Sequence, residues 1–440
     1  MSDNRNKVYY QCVFQQQSPL RISTGGGNET DSDMMTDIRA FPFIPGTSIT
    51  GVLRQQCLSL GTDGGLVKSL FGDVDRIGGS IRESKVLVSD AVLPDSAEEN
   101  VDFQIRPRNA VCLSDNDTGA AKKGGLFDFE TVECRLPYTA IIELSGTVDE
   151  REIKALESAL SRWVTEGASF GARTTRGYGK ASVTVSKRSF RFPEELGDWL
   201  AFDPFAPDSF AAGGSGVEPL EATEPNAGSQ IEIVVSFRMK GTFSVRKYTT
   251  ELPEGERRAT PDFSPLSNME KLPVIPGTSW AGSFRHHMRL LARQTEKDPG
   301  ARKEKLKRID ALFGKTEEGK QRSKIQFSET AVKGSALYPV TRVAIDRFTN
   351  APRSAGLFTS GVAWGGEGTL VVTLPSGTDE WLLRLLSAAL NDLNLGLMTV
   401  GGEANVGRGL CGLTSVLVKG VERLAAVQAC DTGYLIAGGA

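Results

Sequence analysis

Polar and apolar residues alternate along VYYQCVF at 8–14 and again along QIEIVVSFRM at 230–239, the period-two signature of a half-buried strand. A polar stretch follows each, and then IPGTS. There Pro and Gly break the chain, and Thr47 or Ser48 (Thr278 or Ser279 in the second copy) stands where a helix cap is needed. The apolar spacing of ITGVLRQQCLSL and WAGSFRHHMRLLARQ predicts a helix running on to LFG, Leu70–Gly72 and Leu312–Gly314, with Gly as the stop. A strand comes next, SKVLVSDAVL at 84–93 and SKIQFSETAV at 323–332. The irregular segments Arg106–Glu130 and Arg342–Val362 then read as projecting hairpins with polar turns. Strands TAIIEL (139–144) and TLVVTL (369–374) lead into amphipathic helices over Asp149–Glu166 and Thr378–Leu395. A glycine-rich loop and a last strand, KASVTVSK (180–187) or CGLTSVLVK (411–419), close each copy.

The two copies keep a fixed spacing. Ile44 and Ile275 of the IPG motif stand 231 positions apart, as do GGLF at 124–127 and AGLF at 355–358, and Asp115 and Thr118 with Asp346 and Thr349. Gly171 and Gly402 keep that spacing, which reads as drifting to 230 by Gly177 and Gly407. Four motifs in one order identify a tandem duplication. Strand, helix, strand, hairpin, strand, helix, glycine loop, strand is the split βαβ or ferredoxin-like order, so the expected class is α+β. The domains are predicted at 1–191 and 230–440. The Pro-, Gly-, Ala- and acid-rich stretch 192–229 reads as a linker with partial disorder.

With 39% hydrophobic and 24% charged residues, the 440-residue chain has the balance of an ordinary globular protein. No apolar run reaches the roughly 18 residues of a membrane span. The opening MSDNRNKVYYQ lacks a signal-peptide core, so the expected home is the cytoplasm, with no membrane partner. Cys12, Cys57, Cys112, Cys134, Cys411 and Cys430 are scattered without CxxC spacing, which predicts reduced, mostly buried thiols rather than a zinc site. His286 and His287 are the only histidines, so histidine acid–base chemistry is excluded from the first copy.

A net charge of −3 does not mark a nucleic-acid binder, so the distribution of charge has to carry that reading against the plainer one of solvated faces. From Ala168 to Pro193 no acid occurs, while Arg173, Arg176, Lys180, Lys187, Arg188 and Arg191 do. The helix after Thr278 carries Arg285, Arg289 and Arg293 before its first acid, Glu296. Each IPGTS turn offers unpaired N–H groups, a small residue one turn in (Gly51, Gly282) and an Arg beyond it (Arg54, Arg285), the ingredients of a phosphate site. The plainer reading is a capped helix. In the glycine loops, Arg173, Arg176, Lys180 and Arg408 stand beside the glycines as further cations of a phosphate track. Tight turns alone would explain the glycines but not the basic residues.

With IPGTS, LFG, SDA, the hairpin and the glycine loop in this order and doubled, the chain resembles the RAMP superfamily of CRISPR-associated proteins, and within it the Cas-seven-like backbone subunits of type III effector complexes. The resemblance covers both halves and leaves out the linker. It implies two tandem ferredoxin-like or RRM-like domains, each with an inserted thumb hairpin that intrudes into a guide–target duplex and splays out a nucleotide. Phe127, Phe348 and Phe358 are the rings that would wedge or stack there; their alternative role is to anchor the hairpin. In family members that cut RNA, an aspartate in the loop before IPG cleaves the target strand with a divalent metal. Asp31 and Asp33 fall at that place, Asp31 fitting better and Asp37 lying closer to IPG. In the second copy Asp262 is the nearest counterpart, on a longer loop without the glycine run, with Glu251, Glu256 and Glu270 as alternatives.

The resemblance therefore implies guide RNA, target RNA and other CRISPR effector subunits as partners. It also implies Mg2+ or Mn2+ as cofactor, held by Asp31 and Asp262. A hydrated Mg2+ on one carboxylate can stabilise phosphorane charge and supply hydroxide. Two further readings stand beside this one: a scaffold that binds guide RNA without cutting, and a guide-processing endoribonuclease, which ordinarily relies on a histidine that the first half lacks.

Overall fold

The computed structural model describes residues 6–26, 30–74, 81–94, 105–113, 121–133, 135–211, 213–224, 230–248, 263–315, 321–429 and 435. Two compact units emerge. The first holds Met1–Arg106, Glu130–Thr174 and Tyr178–Asn226; the second holds Pro107–Phe129, Thr175–Gly177 and Ala227–Ala440.

The first unit is built on strand β1 (Asn6–Gln16), whose even-numbered residues Tyr10, Cys12 and Phe14 are wholly buried. Helices α1 (Gly46–Ser59) and α2 (Gly64–Phe71) lead to β2 (Val86–Val88). In the chain the hairpin β3 (Ile105–Leu113) and β4 (Ala121–Val132), whose residues Pro107–Phe129 are counted with the second unit, precedes β5 (Pro137–Leu144), and α3 (Glu150–Glu166) precedes β6 (Lys180–Arg191). The sheet order β6-β1-β5-β2 is antiparallel throughout. In order of appearance that is 4-1-3-2, the ferredoxin-like sheet, with the hairpin inserted between its second and third strands. The helix-facing core is aromatic: the Phe14 ring lies edge-on to Trp163 of α3 (5.9 Å) and to Phe170 (4.9 Å).

The second unit repeats the plan. Strand β8 (Gln230–Met239), helices α5 (Gly277–Thr295) and α6 (Pro299–Phe313), β11 (Gln326–Phe327), the hairpin β12 (Ala336–Ile345) and β13 (Pro352–Trp364), β14 (Glu367–Pro375), α7 (Glu380–Leu395) and β15 (Cys411–Val418) follow in order. Two short strands lie between β8 and α5, namely β9 (Arg246–Tyr248) and β10 (Phe263–Pro265). The sheet runs β11-β14-β8-β15, the same order. Its core centres on Trp280 of α5, whose Nε1 donates to Thr330 Oγ1 at 3.1 Å and whose ring meets Phe237 at 5.3 Å.

Three local expectations change. The helix after IPGTS is two helices in each copy. In the first, Gly61 at φ +78° ends α1, and the Asp63 carboxylate then caps α2 through Gly65 and Leu66. In the second, Asp298 accepts from Ala301 N–H at 2.6 Å, with Pro299 opening α6. Thr47, Ser48, Thr278 and Ser279 do not cap. The cap residues are Pro45 and Pro276, and the Thr and Ser lie inside the first turn.

The third change concerns 192–229, expected as a linker. Its described part is folded. Phe192, Trp199, Phe202 and Phe210 pack with Tyr9, Ile141 and Phe190, on the sheet face away from α3. Trp199 Nε1 donates to Tyr9 Oη at 3.0 Å, and strand β7 (Val217–Pro219) pairs with β6. Composition misleads because four large rings among the Pro, Gly and acids suffice for a small core. Phe210, 5% exposed, tests this. Phe210→Ala is expected to remove about 3 kcal/mol in urea unfolding and to open 192–224 to limited proteolysis. A true linker would be cut equally fast in both proteins, with no change in stability.

Candidate RNA-binding and cleavage site

The loop before IPG sorts the candidate carboxylates by what they already hold. Asp37 is a turn residue. Its Oδ1 accepts from Arg39 N–H (2.8 Å) and Phe41 N–H (2.9 Å), and Oδ2 accepts from the Arg39 guanidinium. Burial pushes its carboxyl up, but the amides of Phe41 and Arg39 and the guanidinium together outweigh that and hold it below the usual range. Asn268 makes the same turn in the second unit, its Oδ1 accepting from Leu272 N–H at 2.9 Å, so charge is not needed there. Ala40 and Lys271 fill the matching left-handed position at φ +64° and +59°.

Asp33 is also engaged, its Oδ1 taking Thr30 N–H (2.9 Å) and Thr30 Oγ1 (3.0 Å). Asp31 is exposed, just before the buried Ser32. Asp262, with Glu251 and Glu256, lies outside the described residues, as do Asp115 and Thr118. The bridges Thr36↔Pro42 and Ser267↔Pro273 hold the two loops in a 231-residue register just before IPG.

At the helix starts the glycine of IPG answers to packing. A Cβ on Gly46 would lie 2.4 Å from the Val88 carbonyl oxygen, and one on Gly277 would lie 2.3 Å from that of Phe327. In α1 the first amide is already taken: Gly46 N–H donates to Asp90 Oδ1 at 2.7 Å. A protein carboxylate therefore occupies the place expected for phosphate. Thr47 is exposed, while Ser48, Arg54, Thr278 and Ser279 are half-buried. Arg285 pairs with Asp310 at 2.9 Å, which also holds Arg289 at 2.6 Å, joining α5 to α6. His287 is buried, with Nε2 2.6 Å from Asp392 Oδ2 of α7. Burial first, then the charges of His287 and Arg289, lowers the pKa of half-buried His286.

The glycine loops share one backbone, and their register is 230 throughout. Gly171, Arg173, Gly177 and Gly179 have φ of +78°, +61°, +84° and +71°; Gly401, Glu403, Gly407 and Gly409 have +91°, +62°, +79° and +79°. Gly401, not Gly402, therefore matches Gly171. The last glycine closes the loop, because a Cβ would meet the Phe170 oxygen at 1.9 Å in one copy and the Val400 oxygen at 2.1 Å in the other.

The side chains on this shared frame differ. Arg173 is half-buried near Arg21, whose pKa is lowered first by burial and then by the Arg173 charge. Lys180 is half-buried at the start of β6. Arg176 belongs to the second unit, where its guanidinium donates to the carbonyl oxygens of Phe313 (2.9 Å) and Ile325 (3.3 Å) and to Ser323 Oγ (3.2 Å). It closes the end of α6 instead of standing ready for RNA. Arg408 is 4% exposed and pairs with Glu403, so it too is part of the fold.

The sequence reading missed what surrounds Arg408. Glu403 gathers three guanidiniums: Arg246 of β9 at 2.9 Å, Arg342 of β12, and Arg408 at 2.6 Å. Burial lowers the Arg408 pKa first; Glu403 opposes this, and Arg342 and Arg246 add to it. A cation at 246 with GGE at 401–403 was the available signal, but 155 residues separate Arg246 from Gly401 and no periodicity links them.

In the hairpins, Phe127 is half-buried against Phe129, with centroids 6.1 Å apart, and Phe358 lies under the Arg342 guanidinium at 5.4 Å. Both rings serve as anchors. Phe348 is 90% exposed at a turn fixed by Asp346 Oδ1, which accepts from the amides of Phe348 (3.0 Å) and Thr349 (3.1 Å). Cys12, Cys57 and Cys411 are buried thiols; burial pushes Cys57 up to about 11, Cys411 up to about 12 and Cys12 further still. Cys134 and Cys430 lie outside the described residues. Among the described residues no helix is long and apolar enough to cross a membrane.

Two ferredoxin-like repeats in one chain, each interrupted by a hairpin and closed by a glycine loop, define a tandem α+β protein. Residues 14–182 and 213–412 match the model of the RAMP superfamily. The chain belongs to that superfamily, in tandem, which makes it a CRISPR-associated RNA-binding subunit. A search of the curated proteins finds no match.

Two substitutions test these assignments. Asp37→Asn should leave folding and RNA cleavage unchanged, since Asn268 serves the same turn; a cleavage defect would return Asp37 to the candidates. Arg176→Ala should lower unfolding free energy by about 1–3 kcal/mol, through the carbonyls it strands. RNA affinity in a salt titration should hold, and a reduced salt slope without reduced stability would restore Arg176 to RNA.

Proposed function

We propose that the chain is a guide-RNA-binding backbone subunit of a type III CRISPR complex, and that Asp31, with Asp262 in the second copy, cleaves guide-paired target RNA. The observation that carries this reading is exposure: Asp31 stands exposed in the loop before IPG, where the resemblance puts the cleaving aspartate, while Asp33 and Asp37 are half-buried. Asp262 stands 231 positions after Asp31 in the sequence, the spacing of the two IPG motifs, which supports it as the counterpart.

Asp31 suits an open metal site rather than a closed cage. Among the described residues no three His, Cys, Asp or Glu side chains gather around one point, and Mg2+ keeps much of its water shell. A Mg2+ or Mn2+ held there would supply positive charge against the developing phosphorane and help take the 2′-OH proton. The chain's own part is positioning. The Thr30–Asp33 turn fixes the loop that presents Asp31. In the second copy the hairpin tip presents Phe348 to unstack a base, which lets the neighbouring 2′-oxygen, as it loses its proton, line up for attack on the adjacent phosphorus and displace the 5′-oxygen. Other effector subunits, guide RNA and target RNA complete the assembly. The rival is a scaffold that binds guide RNA without cutting.

In a reconstituted complex, Asp31→Ala should abolish one set of target cuts, a loss of about 100-fold or more, and Asp262→Ala the other set. Undiminished cutting in both variants leaves only the scaffold.

A further inference from the structure

We infer that the folded segment 192–224 of the first unit is a docking surface for another protein subunit of the same assembly, one that offers an apolar groove rimmed by Lys and Arg. It goes beyond the RNA-binding reading and rests only on the chain's being one subunit of a larger complex. The segment has two sides. Inward, Phe192, Trp199, Phe202 and Phe210 cover the sheet, and the Trp199 indole is fixed on Tyr9 Oη at 3.0 Å. Those rings account for the cover by themselves. Outward, helix α4 (Leu196–Leu200) carries Leu196 and Leu200 one turn apart, 44% and 71% exposed, and Phe205 beyond it is 69% exposed. Covering the sheet does not call for these three. Single exposed apolar residues are ordinary, but three large ones within positions 196–205 supply what an interface uses as anchors.

Charge selects the occupant. From Phe192 to Glu224 there are eight acidic residues and no Lys, Arg or His. All but Glu195 are exposed, and among the described residues none of the eight takes part in an ion pair. Such a field repels an RNA backbone and an anionic lipid surface alike. Lys and Arg around an apolar groove are attracted by it, and they steer the approach before the side chains dock.

The surface is also ordered in advance. Arg191 N–H donates to Glu195 Oε2 at 2.6 Å and fixes the entry to α4, while Phe205 N–H donates to Asp203 Oδ1 at 2.9 Å and fixes the turn that carries the ring. At the far end β7 pairs with β6, and Thr165 Oγ1 donates to the Thr223 carbonyl at 2.8 Å. Docking therefore costs this segment little backbone freedom.

The test places benzoylphenylalanine at position 205 of the full chain, reconstituted with guide RNA and the other subunits of its complex. Ultraviolet light is expected to cross-link it to an apolar peptide flanked by Lys or Arg in a different subunit. Leu200→Asp/Phe205→Asp should lower affinity for that purified subunit by about tenfold or more, as the loss of interface anchors does. Glu194→Gln/Asp198→Asn should slow association at low chloride and flatten its dependence on salt. Melting and limited proteolysis of 192–224 establish that each variant keeps the cover; if the aspartate pair loses it, Leu200→Ser/Phe205→Ser and the charge pair carry the comparison. Cross-links confined to the chain itself leave a cover and overturn the docking surface. Cross-links to RNA, or to a second copy of this chain, overturn it in favour of those partners. A cross-linked subunit that binds every folded variant as it binds the wild type overturns it as well. RNA affinity, measured separately, should be unchanged in all variants, so each of these failures leaves the RNA-binding reading intact. A wild type that binds no RNA overturns that reading alone.

Discussion

Everything in either half hangs from one strand paired along both edges. In the first unit β1 is bonded from Val8 to Gln15 against β5 and from Asn6 to Gln16 against β6. In the second, β8 lies between β14 and β15 in the same way. A strand so placed cannot slip by one residue without turning Tyr10, Cys12 and Phe14 out of the helix-side core. It therefore fixes the level at which the first loop leaves the sheet and the last strand enters it. The candidate cutting loop and the glycine loop meet at that end because both leave from the same pair of strands.

Backbone geometry survived duplication where side-chain chemistry did not. The two glycine loops agree in four positive φ angles, and carbonyl oxygens of Phe170 and Val400 forbid a side chain at the last glycine of each. On that frame an arginine in one copy faces a glutamate in the other, and Tyr178 faces Arg408. A loop whose shape is set by steric exclusion is free to change its charges. The IPG glycines follow the same logic, pressed on a neighbouring carbonyl.

Period-two strands, the α3 and α7 helices and the doubled order were legible in the sequence because each is a local pattern reinforced by repetition. Asp149 and Asp379 cap these two helices. What stayed hidden depends on distant pairing. Nothing in the run Arg173–Lys180 distinguishes Arg176, bound to carbonyls at 313 and 325, from its neighbours. Arg285 became visible as a structural cation only beside Asp310, 25 residues on. The folded segment after Phe192 was obscured by its acids and glycines, since composition averages over the few rings that make its core.

The hairpin tip of the second unit has an entropic consequence. Asp346 holds the turn through the amides of Phe348 and Thr349, and Arg353 lies 3.6 Å from its other oxygen. The neighbouring amides are the largest influence holding its carboxyl below the usual range, so the clamp stays ionised well into mild acid. Fixing a residue's backbone costs about 1–2 kcal/mol, and here the cost is met during folding. A ring exposed on a tip already ordered can give nearly all of its contact energy to whatever it touches. The least buried aromatic residue of this hairpin is thus also one whose backbone has the least left to lose.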